Sequence, residues 1–338
     1  SNRRWWKNSN GLSISGYQKI LNLIFQTCSM KNVYLLFSLL LITITPLAQR
    51  NTETDGDWTK QSVVLRNTAE ADLMVRVGDI DNLGFGFDAE FNPFSGRSTW
   101  SHPFPWEVNK ADAKGTDRIM VPSSYKYGSA VNQEGYTGTT RRPANNPSTI
   151  SIPLAEVKTV KVDSAALQFF IDDFQSPSMG SKFQVKINGL RFTEAEKMIN
   201  RIDQSGPVGK LITIRLTPEL LAKLNADSLI IAIDDPASKQ GDGYAIDFVK
   251  LLINPKIIYK GKVQGKIVDF DTREPIANAT ANIEDYGTAT SDAEGNFVLE
   301  NIPAGLNIIK GSAEGYSSAE KQVDVINEET SEPVELQL

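Results

Sequence analysis

The amino-acid sequence predicts an all-β protein, a jelly-roll-like β-sandwich followed by a smaller β-sandwich, and three observations carry that expectation. Short apolar segments alternate with polar residues at period two, the spacing of half-buried strands. Gly, Pro, Asp and Asn interrupt them at turn-like intervals. Only two segments have helical spacing, and both are short.

The chain of 338 residues, 40% hydrophobic and 22% charged, has room for two globular domains and a leader. Met30, Lys31 and Asn32 form a short basic start, Val33 to Ile44 is an apolar run, and Pro46, Leu47, Ala48 and Gln49 supply a cleavage zone. Residues 30–49 are therefore expected to be a secretory signal peptide, with residues 1–29 an upstream extension outside the mature protein. The run is shorter than the roughly 18 to 20 apolar residues of a spanning helix, so no stable transmembrane span is expected after cleavage. Secreted, periplasmic or cell-surface placement follows. Cys28 is the single cysteine and precedes Met30, which leaves the expected mature chain without disulfides or thiolate chemistry. Removal of residues 1–49 takes five basic and no acidic residues, moving the formal charge from −6 to −11. That acidity argues against a nucleic-acid partner and suits a cation.

The larger domain is expected over residues 58–254. Strand patterns occur at SVVLR, ADLMVRVGD, TISIPL, VKTVKV, ALQFFID, KFQVKINGL, KLITIRL, SLIIAID and YAIDFVKLLIN. The stretch from Leu83 to Pro147 is rich in Gly, Pro and aromatics and lacks periodicity, as functional or mobile loops do. Thr193 and Glu196 have capping-box spacing before Met198, Ile199 and Ile202, and Thr217 precedes Pro218 as an N-cap before Leu220, Leu221 and Leu224. The segments AALQFFIDDFQSP and DSLIIAIDDPAS echo one another, each running from an apolar strand into Ile-Asp-Asp. The arrangement is broadly similar to jelly rolls of the galactose-binding-like type, an architectural likeness without a diagnostic motif.

Pro255 breaks the last strand, and Lys256 to Lys260 make a short bridge to residues 261–338. There Val263, Ile267, Ala281, Ile283, Phe297, Leu299 and Ile302 alternate with polar residues, and Ser291 to Gly295 is expected to be a hairpin connection. Through TREPIANA and SDAEGNFVLENIPAG this segment resembles the carboxypeptidase regulatory-like domain. The resemblance implies a transthyretin/Ig-like β-sandwich of the kind that accompanies secreted bacterial proteins, and it names an accessory rather than an activity.

Candidate chemistry is concentrated upstream. In VGDIDNLGFGF, Asp79, Asp81 and Asn82 offer closely spaced oxygens suited to calcium, with Asp242 and Asp247 as recruits from the last strand region. The same residue types are ordinary turn formers. TWSHPFPW places Trp100, His102, Phe104 and Trp106 close together, a platform for sugar faces or the packing of a long loop. Arg118, after the polar turn Gly115–Asp117, can clamp a ligand carboxylate or pair internally. The pairs Asp172 with Asp173 and Asp234 with Asp235 each straddle a strand end, so a glycosidase would need one member of each to converge. His102 is the only histidine, which excludes a multi-histidine zinc site, and no phosphate-binding loop is present. The expected function is that of a secreted, non-enzymatic carbohydrate-binding protein whose acidic loops take calcium. The alternatives are a structural or adhesion protein of the cell envelope, with protein partners, and a glycoside hydrolase.

Overall fold

The computed structural model describes residues 62–83, 85–101, 118–120, 149–204, 208–241 and 244–338, all within the compact unit Arg50–Leu338. The expected signal peptide, the upstream extension and Cys28 lie outside the described residues. The protein is all-β: the described residues form seventeen strands in four sheets, with short helical segments between them.

Ten strands build the larger sandwich: β1 (Val63–Arg66), β2 (Leu73–Gly78), β3 (Arg118–Met120), β4 (Ile150–Pro153), β5 (Ala165–Asp172), β6 (Gln184–Ile187), β7 (Leu190–Arg191), β8 (Lys210–Arg215), β9 (Ser228–Asp234) and β10 (Tyr244–Ile253). One antiparallel sheet runs β1-β2-β10-β5-β8, with β3 also on β10, and the other runs β4-β9-β6-β7. Leu73, Val75 and Val77 of β2 and Leu167, Phe169 and Ile171 of β5 face Ile150, Ile152, Val185, Ile187, Ile231 and Ile233 across the core, as the period-two pattern requires. Tyr244 crosses this core, stacked 4.6 Å from Phe174, and its hydroxyl donates to the Ile233 carbonyl oxygen at 2.9 Å. That bond ties one sheet to the other.

Strand β10 changes parity midway. Tyr244 and Ile246 point into the core, and so do Val249, Leu251 and Ile253. The register jumps between Ile246 and Phe248, so Asp247 is the extra residue of a β-bulge. Phe248, Lys250 and Leu252 consequently lie on the outer face of the sheet, buried there at 0%, 3% and 4% exposure.

Three local expectations for the larger sandwich are corrected. VKTVKV is no strand: Val157–Thr159 is a 3-10 turn, with the amides of Val157 and Lys158 bonded to the Leu154 carbonyl and Val157 buried in the core. KFQVKINGL is a hairpin rather than one strand, because Asn188 and Gly189 both take positive φ (46° and 83°) and turn β6 into β7. In the helical segments α1 (Ser176–Met179), α2 (Thr193–Ile199) and α3 (Pro218–Leu221), only the last has the expected cap. Thr217 Oγ1 accepts from the Leu220 amide at 3.4 Å, whereas Thr193 is already helical and caps nothing. Glu196 instead accepts from the Val185 amide at 3.1 Å and pairs with Arg191, pinning α2 to β6.

The smaller sandwich comprises β11 (Lys260–Val268), β12 (Thr280–Ile283), β13 (Gly287–Thr290), β14 (Asn296–Pro303), β15 (Gly305–Ser312), β16 (Ala319–Val325) and β17 (Val334–Gln337). A three-stranded sheet β14-β11-β17, with β11 and β17 parallel, packs on the antiparallel sheet β13-β12-β15-β16. All seven apolar residues singled out in the sequence are buried between them. The turn at Ser291–Gly295 forms as its residues dictate: Asp292 Oδ1 accepts from the amides of Glu294 (3.1 Å) and Asn296 (2.7 Å). It is not a hairpin between paired strands, because β13 and β14 belong to opposite sheets and the turn carries the chain from one to the other.

The sandwiches meet along β8 and β15. Leu306 of β15 is buried among the core residues of the larger sandwich. Residues 85–101 form a strap over the outer face of the first sheet: Phe87 meets Phe170 edge-on at 5.8 Å, and Phe94 lies 5.8 Å from Phe248 and 6.2 Å from Tyr259 of the interdomain bridge. Further along, the Ser95 carbonyl accepts from the Asn327 amide at 2.8 Å. Thr99 pairs with Gly209, its amide donating at 3.0 Å and its hydroxyl accepting at 2.7 Å. The strap thus lies in the seam and touches both sandwiches.

Candidate functional site

The acidic loop follows β2. Asp79 and Asp81 converge on bulged Asp247, and one carboxylate oxygen from each lies within 4.8 Å of the others. The bulge is what makes this meeting happen, since it re-aims Asp247 off the regular ladder. Asp247 is 1% exposed and accepts from the amides of Asn82 (3.2 Å) and Leu83 (3.0 Å). Left-handed backbone at Asn82 (φ 61°) and Leu83 (φ 57°) presents both amides to one carboxylate.

The electrostatics of the loop are strained. Burial holds the Asp247 carboxyl well above the usual carboxylate range, against the Leu83 and Asn82 amides, and the Asp81 and Asp79 charges push it in the same direction as burial. Asp79 is raised by its own burial and by Asp81, with Arg76 opposing. Two polar oxygens, Asp79 Oδ1 and Asn82 Oδ1, are buried with no hydrogen-bond partner. The other end of the Asn82 amide is engaged, Nδ2 donating to the Gly86 carbonyl at 3.0 Å.

Of the calcium candidates, the structure brings together Asp79, Asp81, Asn82 and Asp247; Asp242 lies outside the described residues. Of the carbohydrate candidates, His102 and Trp106 lie outside the described residues, and Arg118 is described only as the first residue of β3, opposite Ile246. Trp100 is 49% exposed, next to the Thr99–Gly209 pairing at the head of β8. The registers Lys210–Ile171–Ile246 and Gly78–Phe248 put that position and the acidic loop at the same end of the first sheet. Asp173 and Asp235 spend their carboxylates on their own turns: Asp173 accepts from the Gln175 side chain, and Asp235 from Ser238, Gln240 and Gly241.

One feature escaped the sequence. A cleft of about 300 Å³ opens along the seam, lined by Arg201 of α2, Arg215 of β8, Tyr286, Lys310 of β15 and Glu320 of β16. The Arg215 guanidinium sits 5.2 Å from the centre of the Tyr286 ring, and Arg201 pairs with Glu320. No local motif announces it, because its walls come from two sandwiches far apart in the chain.

The fold and the family comparison agree on the class of the C-terminal part. Residues 263–338 match the model of the CarboxypepD_reg-like domain, and this segment is a carboxypeptidase regulatory-like domain. No curated protein matches the chain. Among solved structures it is similar to the Bacillus anthracis TIE protein (12% identity, TM-score 0.20, covering 52% of this chain and 35% of that one). It is also similar to the T6 backbone pilin of serotype M6 Streptococcus pyogenes (11%, 0.17, 52% and 46%). A third is the group B streptococcus pilus 2b backbone protein (15%, 0.19, 56% and 91%). The chain spans less than half the length of the first two, and TM-scores of this size carry no functional argument. Among the described residues no helix is long and apolar enough to cross a membrane.

Proposed function

We propose that the protein is a non-enzymatic structural or adhesion component of the cell envelope, in which the two sandwiches act as one rigid body toward protein partners. The seam carries this reading: Leu306 of the smaller sandwich sits in the core of the larger, and the strap closes the outer face of the first sheet with Phe87 and Phe94. A sheet face filled in this way holds its neighbour in place. The apolar run Val33–Ile44 supports export, and the regulatory-like module is of the accessory kind. Surface proteolysis and crosslinking of intact cells producing the full chain test the proposal. Recovery in the envelope fraction, in crosslinked species with defined protein partners, is expected. Recovery in the cytoplasm overturns it.

A carbohydrate-binding reading rests on Trp100, whose exposed ring stands at the same sheet end as the acidic loop. A glycan array with and without calcium separates the two readings. Binding that is lost in Trp100→Ala favours the sugar reading, and a silent array favours the structural one.

A further inference from the structure

We propose that Asp79, Asp81 and Asp247, with the side-chain oxygen of Asn82, hold a calcium ion that anchors the root of the strap joining the two sandwiches.

The oxygens of three carboxylates lie within 4.8 Å of one another, around a bulge residue that is 1% exposed. Independent of the acidic cluster, Asn82 is 1% exposed and its Oδ1 has no hydrogen-bond partner, although its backbone amide reaches Asp247 and its Nδ2 is bonded. Buried amide oxygens are almost always satisfied, so this orphan, on a residue whose backbone amide is bonded to Asp247, is suited to a cation ligand. Asp79 Oδ1 is a second such oxygen in the same loop.

The donor set identifies the ion. Among the described residues every candidate ligand is a hard oxygen, a donor set that disfavours zinc and copper. Carboxylates and an amide oxygen from a bulge and an irregular loop suit the flexible coordination of calcium better than the near-ideal octahedron of magnesium.

The location gives the ion its consequence. The amides of Asn82 and Leu83 are held by Asp247, and the Gly86 amide returns to the Asp81 carbonyl at 2.7 Å. From there the chain continues as the strap, through Phe87 and Phe94 to the seam contacts of Ser95 and Thr99. An ion at the root therefore fixes the element that touches both sandwiches. This inference is independent of what the protein contacts.

The test uses the full chain, stripped with EDTA and titrated calorimetrically with calcium chloride, then with magnesium chloride. One calcium per chain is expected, with magnesium weaker, together with a calcium-dependent rise in Tm and slower proteolysis within residues 85–101. Asp81 is only partly buried, so Asp81→Asn should fold, and it is expected to weaken calcium binding by about tenfold or more. Asn82→Leu, which removes the amide oxygen without changing charge, should weaken binding too. Absence of binding at millimolar calcium overturns the site, as does binding unchanged in Asp81→Asn. Binding that leaves strap proteolysis unaltered overturns its role in the seam.

Discussion

The carbonyl oxygen of Leu211 in β8 lies 2.6 Å from the point where a β-carbon on Gly305, at the start of β15, would stand. Gly305 has φ 115°, a backbone region that other residues enter only with strain. The backbones of the two sandwiches meet here with no side chain between them, and the next residue, Leu306, enters the larger core. Gly305→Ala is expected to cost about 3 kcal/mol, combining backbone strain with a clash against main chain that cannot rotate away. Gly315→Ala, at φ 83° with no atom within 4 Å, is the control and should cost about 1 kcal/mol. Urea denaturation followed by circular dichroism measures both. Equal midpoints for the two variants would show that the close approach contributes nothing.

Lys250 is a second buried feature of the outer sheet face. Its ammonium lies 3.1 Å from both Glu70 oxygens and 3.6 Å from the centre of the Phe94 ring. Burial lowers the Lys250 pKa, and the Glu70 charge and hydrogen bond oppose that shift. Glu70→Gln leaves a cation at a position 4% exposed and is expected to cost about 3 kcal/mol. The double variant Glu70→Gln with Lys250→Met should cost less than the two singles added, because no unpaired charge is left. A double-mutant cycle in denaturant reads the coupling directly, and additive costs would exclude it.

Much of the smaller sandwich was legible because one face of each strand is buried and Asp292 writes its turn locally. Phe297, Leu299 and Ile302 could be placed by alternation alone. The larger domain was less legible where tertiary contacts override local pattern. The β-branched residues of VKTVKV favour extended backbone, yet backbone bonds to Leu154 wind Val157–Thr159 into a turn. Thr193 and Glu196 have capping spacing, but Arg191 and the Val185 amide claim Glu196 first. For the acidic loop, residue types pointed to Asp79, Asp81, Asn82 and Asp247, while the bulge that joins them leaves its trace only as a parity change within YAIDFVKLLIN. The role of Phe87 and Phe94 as a strap was hidden, because packing on an outer sheet face has no period of its own.

Charge also crosses the seam, in Lys210–Asp324 at 2.6 Å, Lys197–Glu284 at 3.8 Å and the pair Arg97–Glu329. Most of these side chains are well exposed, so water and salt screen them. Asp324→Asn is expected to cost less than about 1 kcal/mol. Leu306→Ala removes apolar packing shared with the larger core and should cost about 2–4 kcal/mol. If the seam is held by packing, the wild-type protein unfolds in a single transition even in 1 M sodium chloride, and only the Leu306 variant splits that transition in two. Splitting of the wild type by salt alone would assign the seam to its ion pairs. Differential scanning calorimetry distinguishes the two.

Asp235 offers a pH signature outside the acidic loop. Burial pushes its carboxyl up, but the Ser238 hydroxyl and the amides of Gly241, Gln240 and Ser238 together outweigh that effect, and its pKa falls below the ordinary value. Those amides stand 3.0, 2.9 and 3.0 Å from its oxygens. A carboxyl whose folded pKa is depressed stabilises the fold at pH values above its unfolded pKa, about 3.9. That stability is lost as pH falls through the folded pKa. Asp235→Asn replaces one acceptor oxygen with a donor facing backbone amides, and is expected to cost about 2 kcal/mol at neutral pH. The gap between wild type and variant should stay level from about pH 7 to 5 and narrow below about pH 4, as the wild-type carboxylate takes up its proton. Urea midpoints measured across that range decide the matter: a gap of constant size down to about pH 3 would mean that the turn at Ser238–Gly241 holds Asp235 by shape and not by charge.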